Sequence, residues 1–268
     1  MTIITSLTGL GAWINAHALW PHLPVWSYAL LTLLDTHVTT ACVTLYLHRG
    51  QTHRSISFHV LVEHFMRFWL WVRTAMPTRE WVAVHRCHHA NVDMPDDPHS
   101  PIVYGIWRVV FMGTALYHSA AHDEDVVRQY GKGTPDDALE RHLYARLSLL
   151  GPVVTLGSNA LLFGCWGLVM WLLEMAWIPF FAAGVINGLG HWWGYRNFNT
   201  PDHSKNLPGQ YWSLLTCGEA LHNNHHHVQN SPRFASRRGE LDPGYWYFRV
   251  LQAIGLARRR EDSRAAAA

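Results

Sequence analysis

Three short segments concentrate the side chains best able to do chemistry: His48 and His53 in HRGQTH, His85, His88 and His89 in HRCHH, and His222, His225 and His226 in HNNHH. Each residue of an α-helix advances by about 100°, so positions i, i+3 and i+4 share a face and H-x-x-H-H aims three imidazoles in one direction. Two such segments can face each other. The first pair is five residues apart, roughly 140° out of register on a regular helix, so its convergence requires a helix end or a local irregularity. Its place at the end of a hydrophobic stretch provides one. Massing eight weakly basic rings without a metal would create repulsion below pH ~6.5 for no gain, so the eight together predict metal ligation. Imidazole suits Zn, Cu, Fe and Ni, yet a single catalytic zinc takes about three protein ligands. Eight ligands predict two ions; iron follows by analogy, as the metal whose pair activates oxygen.

The chain has 20 His beside 21 Lys and Arg and 19 Asp and Glu. For isolated histidines a hydrogen-bonded or surface role is the expectation, and it applies to His17, His22, His59, His64, His118, His122, His142 and His203. His37 sits in a hydrophobic stretch two residues from Asp35; an intramembrane ionisable pair is a functional candidate, but a packed, hydrogen-bonded role is the simpler expectation. The cysteines at 42, 87, 165 and 217 form no C-x-x-C pair, which argues against a zinc ribbon, an iron–sulfur cluster or a disulfide scaffold and is compatible with a reducing compartment. A formal charge of +2, without a phosphate loop or dinucleotide fingerprint, implies no nucleic-acid partner.

The elements that must hold these histidines are read from the charge map. Only 15% of residues are charged, against roughly a quarter in a soluble domain. Lys and Arg fall in two blocks, eleven from Arg49 to Arg146 and ten from Arg196 to Arg264, with none in 1–48 or 147–195. Each gap holds about two lengths of the ~20 apolar residues that span a bilayer: the first is broken at Pro21 and Pro24, and the second, as Leu147–Leu173 and Met175–Tyr195, at Glu174. The expectation is one all-α integral-membrane domain, with a first transmembrane hairpin in 1–47, a cap with the first two boxes in 48–146, a second hairpin in 147–195 and a tail with the third box in 196–268. Four membrane crossings put both basic blocks and both termini on one side, which the Lys/Arg excess makes cytoplasmic. No cleavable signal peptide is expected, since no basic n-region precedes the first apolar stretch. His59–Met76 reads as an amphipathic helix, residues 119–142 as a solvated loop flanked by short helices, and Arg258–Arg260 as a contact for anionic headgroups.

H48-R-G-Q-T-H53-R, H85-R-C-H88-H89 and G218-E-A-L-H222-N-N-H225-H226 resemble, in order and spacing, the three histidine boxes of the membrane-bound acyl-CoA (stearoyl-CoA, Δ9-type) fatty-acid desaturases, here of bacterial type. N187-G-L-G-H191-W-W-G resembles the family's Asn-x-x-x-His segment, and D96-D-P-H-S100 its Asp-Pro-His stretch. The resemblance runs from about Tyr46 to Tyr247. It implies a four-helix membrane bundle with a cytosolic helical cap enclosing two iron ions (Fe2+). The ligands it implies are His48, His53, His85, His88, His89, His191, His222, His225 and His226, with Asn187 holding a metal-bound water. His191 enters only through this resemblance. Glu80 and Trp81 match a Glu-Trp pair near the substrate.

The implied reaction places a double bond in a fatty acyl-CoA or acyl-ACP chain, with O2 as co-substrate and two electrons from a separate ferredoxin- or cytochrome b5-type donor and its reductase. There is no haem-binding His-Pro-Gly-Gly stretch of a fused cytochrome b5 domain. Three departures stand out: His227 extends the third box into competition for metal or an outer place, and Trp192 and Trp193 are bulky enough to shorten or bend an acyl tunnel. Asn223 and Asn224 suit either support of the ligand imidazoles or helix capping. Rival readings are hydroxylation or acetylenase chemistry on the same platform, a membrane zinc hydrolase with Glu219 as general base, and a haem bundle, which would place its ligands inside the spans rather than at their polar ends.

Overall fold

The computed structural model describes residues 2–260; the last residues of the 196–268 tail lie outside them. Helices α1 (Thr2–His17) and α2 (Val25–Cys42) form a hairpin, closed where the Tyr28 hydroxyl donates to the Trp20 carbonyl and accepts from the Leu23 amide. Threonine is frequent in α2 because its hydroxyls bond back one turn: Thr32 to Tyr28, Thr36 to Thr32 and Thr40 to Thr36, each at 2.8 Å. Polar groups are thereby satisfied inside an apolar helix. Without a break, α2 widens into a π-helical segment, Val43–Thr52.

Strand β1 (Ile56–Phe58) follows, then α3 (Val60–Thr74), whose N-cap His59 accepts from the Leu61 amide and whose end is set by Ala75 in the left-handed region. This amphipathic helix matches the expected His59–Met76. Pro77 leads into α4 (Thr78–Ala90), Ser100 caps α5 (Pro101–Tyr104), and α6 (Ile106–Ala121) and α7 (Glu124–Tyr130, capped by Asp123) complete the first half of the cap.

After a π-helical turn at Glu140–Tyr144 come α8 (Leu150–Phe163) and α9 (Cys165–Ile178). α9 runs on through a second π-helical segment, Pro179–Leu189, into α10 (Gly190–Trp192). The hairpin therefore turns at Gly164 and not at Glu174. Gly164 has φ +65°, and a Cβ there would meet the Asn15 side chain at 2.2 Å, so a residue without Cβ is required. Glu174 instead stays within α9, neutralised by Arg73 and bonded by Asn159. Two continuous helical stretches, Val25–Thr52 and Cys165–Trp192, are long and apolar enough to cross a membrane. Helices α1 and α8 have 16 and 14 residues, fewer than the ~20 a crossing takes.

The chain continues through α11 (Gln210–Leu215), α12 (His222–His227) and α13 (Pro243–Ala253, capped by Asp242) to β2 (Ala257–Arg259). The expectation of an all-α fold is corrected in one detail: β2 pairs antiparallel with β1, Ile56 opposite Arg259. Arg258 and Arg259 thus belong to a small two-stranded ribbon. The main apolar core gathers Tyr46, Leu47, Ile56, Leu70 and Phe248 directly beneath the first histidine segment.

Candidate metal centre

The π-helical segment explains how His48 and His53 converge. The His53 amide bonds the His48 carbonyl at 3.0 Å, an i to i+5 link that widens the turn and brings the two rings to 4.8 Å. His85, His88 and His89 lie on α4, His191 on α10 at the end of the second long helical stretch, and His222, His225 and His226 on α12. These nine side chains assemble into two groups. His48, His53, His85, His89 and His225 form one, and His88, His191, His222 and His226 the other, with the ligand-type atoms of each group within 4.8 Å of one another.

The tautomers are set from outside. His48 Nδ1 donates to Glu219 at 2.7 Å, His88 Nδ1 to Asp97 at 2.9 Å, His191 Nδ1 to Asp93 at 3.0 Å and His226 Nδ1 to Asp202 at 2.9 Å. With the proton on Nδ1, each Nε2 presents a lone pair inward. His191 Nε2 then faces His222 Nε2 at 2.9 Å, and His48 Nε2 faces His225 Nε2 at 3.0 Å. Nitrogens of His53, His88, His89, His222, His225 and His226 are also buried without a hydrogen-bond partner. Burial, with the neighbouring rings, pushes His53, His85, His89, His222, His225 and His226 well below the usual imidazole value, so they are neutral at pH 7. Unprotonated, converging, otherwise unsatisfied imidazoles are what a soft or borderline divalent cation needs. The residues present fit a metal at each group.

The carboxylates are committed to this task. Burial alone would raise Asp97, but His88 and His99 and the Asp93 amide hold it at about 2; Asp93, likewise opposed by burial, is held below the usual carboxylate range by His191, Ser100 and the His203 amide. Glu219 is held down by His48, Arg49 and Thr44 against its own burial. It accepts from the Thr44 hydroxyl as well as from His48, so it is not free to act as the general base of a hydrolase. Composition could not single out Asp93, Asp97 and Asp202, which lie on loops where no periodicity marks them; the Asp-Pro-His stretch was the only signal, and it contains Asp97. His99 is buried with its ring 4.5 Å from His88.

Beside the five-histidine group lies a cavity of about 540 Å³ lined by His85, His99, Asn187, Trp81 and Glu80 and extending to Arg73 and Glu174. Asn187 and His85 both line this cavity, and Trp81 stacks on His85 at 5.0 Å. Trp192 and Trp193 do not line the cavity; they are 51% and 49% exposed, which corrects the expectation that they shape an acyl tunnel. His227 belongs to neither group and stacks on Phe198 at 3.9 Å. Asn223 and Asn224 bond no imidazole: Asn223 accepts from the Asn197 and Phe198 amides, and Asn224 ties Asn206 to Glu240. His37 bonds the Tyr247 hydroxyl and Asp35 pairs with Arg73, so the two have separate partners.

No protein-family profile matches the chain. Individual relatives do. It is 29% identical over 272 residues to the sn-1 stearoyl-lipid 9-desaturase of Anabaena variabilis, covering 96% of each chain. It is 30% identical over 226 residues to the acyl-CoA C20 Delta5-desaturase of Anemone leveillei, covering 80% of this chain and 67% of the other. The chain belongs to the fatty acyl desaturases. A Delta-9 acyl-lipid desaturase 2 of Arabidopsis thaliana is also 28% identical over 237 residues, 87% of this chain and 74% of that one. The desaturase is thus an oxidoreductase acting on fatty acyl lipids.

Proposed function

We propose that this desaturase introduces a double bond into an acyl chain lying in the cavity beside His85. Two bound iron ions would supply, with O2 and two external electrons, the oxidising power that no side-chain base has over an unactivated methylene. Their ligands are His48, His53, His85, His89 and His225 for one and His88, His191, His222 and His226 for the other, with Asn187 at the cavity wall. The observation that carries this reading is the convergence of nine imidazoles in two groups, one of which borders the cavity.

The chain's own residues have distinct duties. Asp93, Asp97, Asp202 and Glu219 fix ring orientation by accepting from Nδ1, which turns each Nε2 inward. Trp81, Ala182 and Ile178 line the cavity with apolar surface, holding an alkyl chain in one position and excluding water from the reacting carbon. Both hairpins, 1–47 and 147–195, lie in the bilayer of the cytoplasmic membrane, with the cap and tail on the cytoplasmic side. Electrons come from a separate ferredoxin- or cytochrome b5-type protein, and the acyl group arrives on CoA, on acyl carrier protein or on a lipid.

Mass spectrometry of acyl chains from cells expressing the protein or His225→Ala tests this. A loss of two mass units confined to the intact protein is expected. A gain of sixteen instead makes it a hydroxylase, and purification with zinc and no O2 dependence overturns the oxidative reading.

A further inference from the structure

The segment 231–238, between α12 and α13, exposes Arg233, Arg237 and Arg238 to solvent and turns Phe234 inward. Phe234 is 1% exposed, and its ring lies 4.7 Å from that of His225 and 5.6 Å from that of His48. A charged surface and two rings of the five-histidine group are therefore joined through adjacent residues of one loop.

The loop is fastened to the third histidine segment. Asn224 donates to the Phe234 carbonyl and to Glu240, each at 2.9 Å. The Phe234 amide donates to Asp242, and the Ser236 and Arg237 amides donate to Glu240. Both carboxylates accept from the backbone on the inner side of the loop, where Asp242 also pairs with buried Arg49. Among the described residues Arg233, Arg237 and Arg238 form no ion pair; Arg233 rests over the Tyr245 ring at 5.9 Å. Other arginines near the histidines are committed to the chain itself. Arg54 and Arg86 both donate to the Lys132 carbonyl, and Arg196 donates to those of Phe198, Thr200 and Asp202.

A fixed positive surface without internal compensation steers an acidic partner toward it. An electron then needs packed groups between donor and acceptor rather than an open channel, and the Phe234 ring supplies them. Resting on the reading of the centre as an oxygen-dependent diiron site, we propose that the 231–238 loop is the landing surface of an acidic one-electron carrier protein. Arg233, Arg237 and Arg238 are its contacts, and Phe234 is the bridge by which each electron reaches His225 and His48. In each turnover the two hydrogens leaving the acyl chain carry two electrons and two protons. Two reduced carriers give one electron each, solvent gives two further protons, and one O2 leaves as two waters. No residue of the loop lines the cavity beside His85, so carrier and acyl chain do not compete for the same residues.

A plant-type ferredoxin and the soluble haem domain of cytochrome b5, as acidic probes, are titrated against the full-length protein in phosphatidylcholine nanodiscs at about 20 and about 200 mM salt. Arg233→Glu/Arg237→Glu/Arg238→Glu is expected to bind at low salt roughly tenfold or more weakly than the wild type and to lose the salt dependence. Arg79→Glu/Arg108→Glu/Lys132→Glu, an equal change of net charge on exposed residues elsewhere, is expected to bind as the wild type does. Phe234→Leu is expected to keep the affinity but to oxidise the pre-reduced carrier several-fold more slowly in stopped flow, while consuming the small reductant dithionite at the wild-type rate. Unchanged affinity in the first variant, or equal weakening in both charge reversals, overturns the landing surface. Equal slowing with carrier and dithionite makes Phe234 a packing residue and overturns the bridge. A wild type that binds neither probe overturns the proposal and leaves the acyl reading standing. A wild type that binds a carrier yet takes no electron from it with acyl substrate and O2 present removes the oxidative reading itself, and this inference with it.

Discussion

In the four-histidine group three imidazoles donate from Nδ1 to carboxylates, Asp97, Asp93 and Asp202, whereas in the five-histidine group, among the described residues, only His48 does, to Glu219. The groups also differ in position. His85 of the larger group lines the cavity, and no member of the smaller group does. The smaller group is supported by carboxylates on most of its rings and is the more firmly held half; the larger has one histidine more, fewer such supports and a ring on the cavity wall. Rigidity and accessibility are divided between two sites a few ångströms apart.

The sharpest way to break this comparison is to delete one ring from each group. His222→Ala leaves three histidines in the smaller group and is expected to reduce bound metal from two ions to about one per chain. His225→Ala leaves four in the larger group and is expected to retain both ions. Both lower turnover by more than about 100-fold, beyond the range for outer partners; elemental analysis of the purified variants separates them, and equal metal loss would show that the groups do not differ as described.

Removing the supports comes next. Asp97→Asn should weaken metal binding at the smaller group by roughly 10–100-fold, because His88 loses the partner that fixes its tautomer. Glu219→Gln should do less, about tenfold or below, since four further rings of its group do not depend on Glu219. Competition with a chelator of known affinity measures both, and an effect of Glu219→Gln exceeding that of Asp97→Asn would reverse the assignment of the rigid half.

The smallest effect is a control outside both groups. Asp137 pairs with Arg67, and that hydrogen bond, opposed by burial, lowers its carboxyl from 3.8 to about 2. Because the folded value lies below the unfolded one, the pair stabilises the protein fully above pH ~3.8 and is lost as pH falls toward 2. Asp137 is 46% exposed, so solvent screening limits the contribution to less than about 1 kcal/mol. Asp137→Asn is expected to leave the metal content of both groups unchanged and to flatten the acid limb of a denaturation series by that small amount.

Spacing alone made eight of the nine converging histidines legible, because H-x-x-H-H states its geometry in its sequence. His191 stands by itself between glycine and tryptophan, and only the resemblance of its segment to a known one brought it in. The supporting carboxylates were not legible, since Asp93 and Asp202 meet their histidines through loops whose paths no periodicity encodes. The existence of the long helices followed from the absence of charge, but the turn of the second hairpin did not. A lone glutamate reads as a boundary, and only the packing of Arg73 and Asn159 against it shows that a helix can carry it. Nor did the sequence indicate π-helical winding, although five-residue spacing demanded some departure from a regular helix.

Arg49, one residue past His48, is fully buried against Asp242, 193 residues later in the chain, with its guanidinium 3.9 Å from the Phe234 ring. The first histidine segment thus leans on residues that a ribosome, adding about 5–20 amino acids per second, has yet to make when His48 and His53 emerge. For roughly 10 to 40 seconds at such rates, the early rings have neither their later companions nor the contact that seats their helix. A metal held by both groups would therefore be loaded as synthesis closes rather than during it, and a nascent chain stalled before Asp242 is one whose histidines still lack their seat.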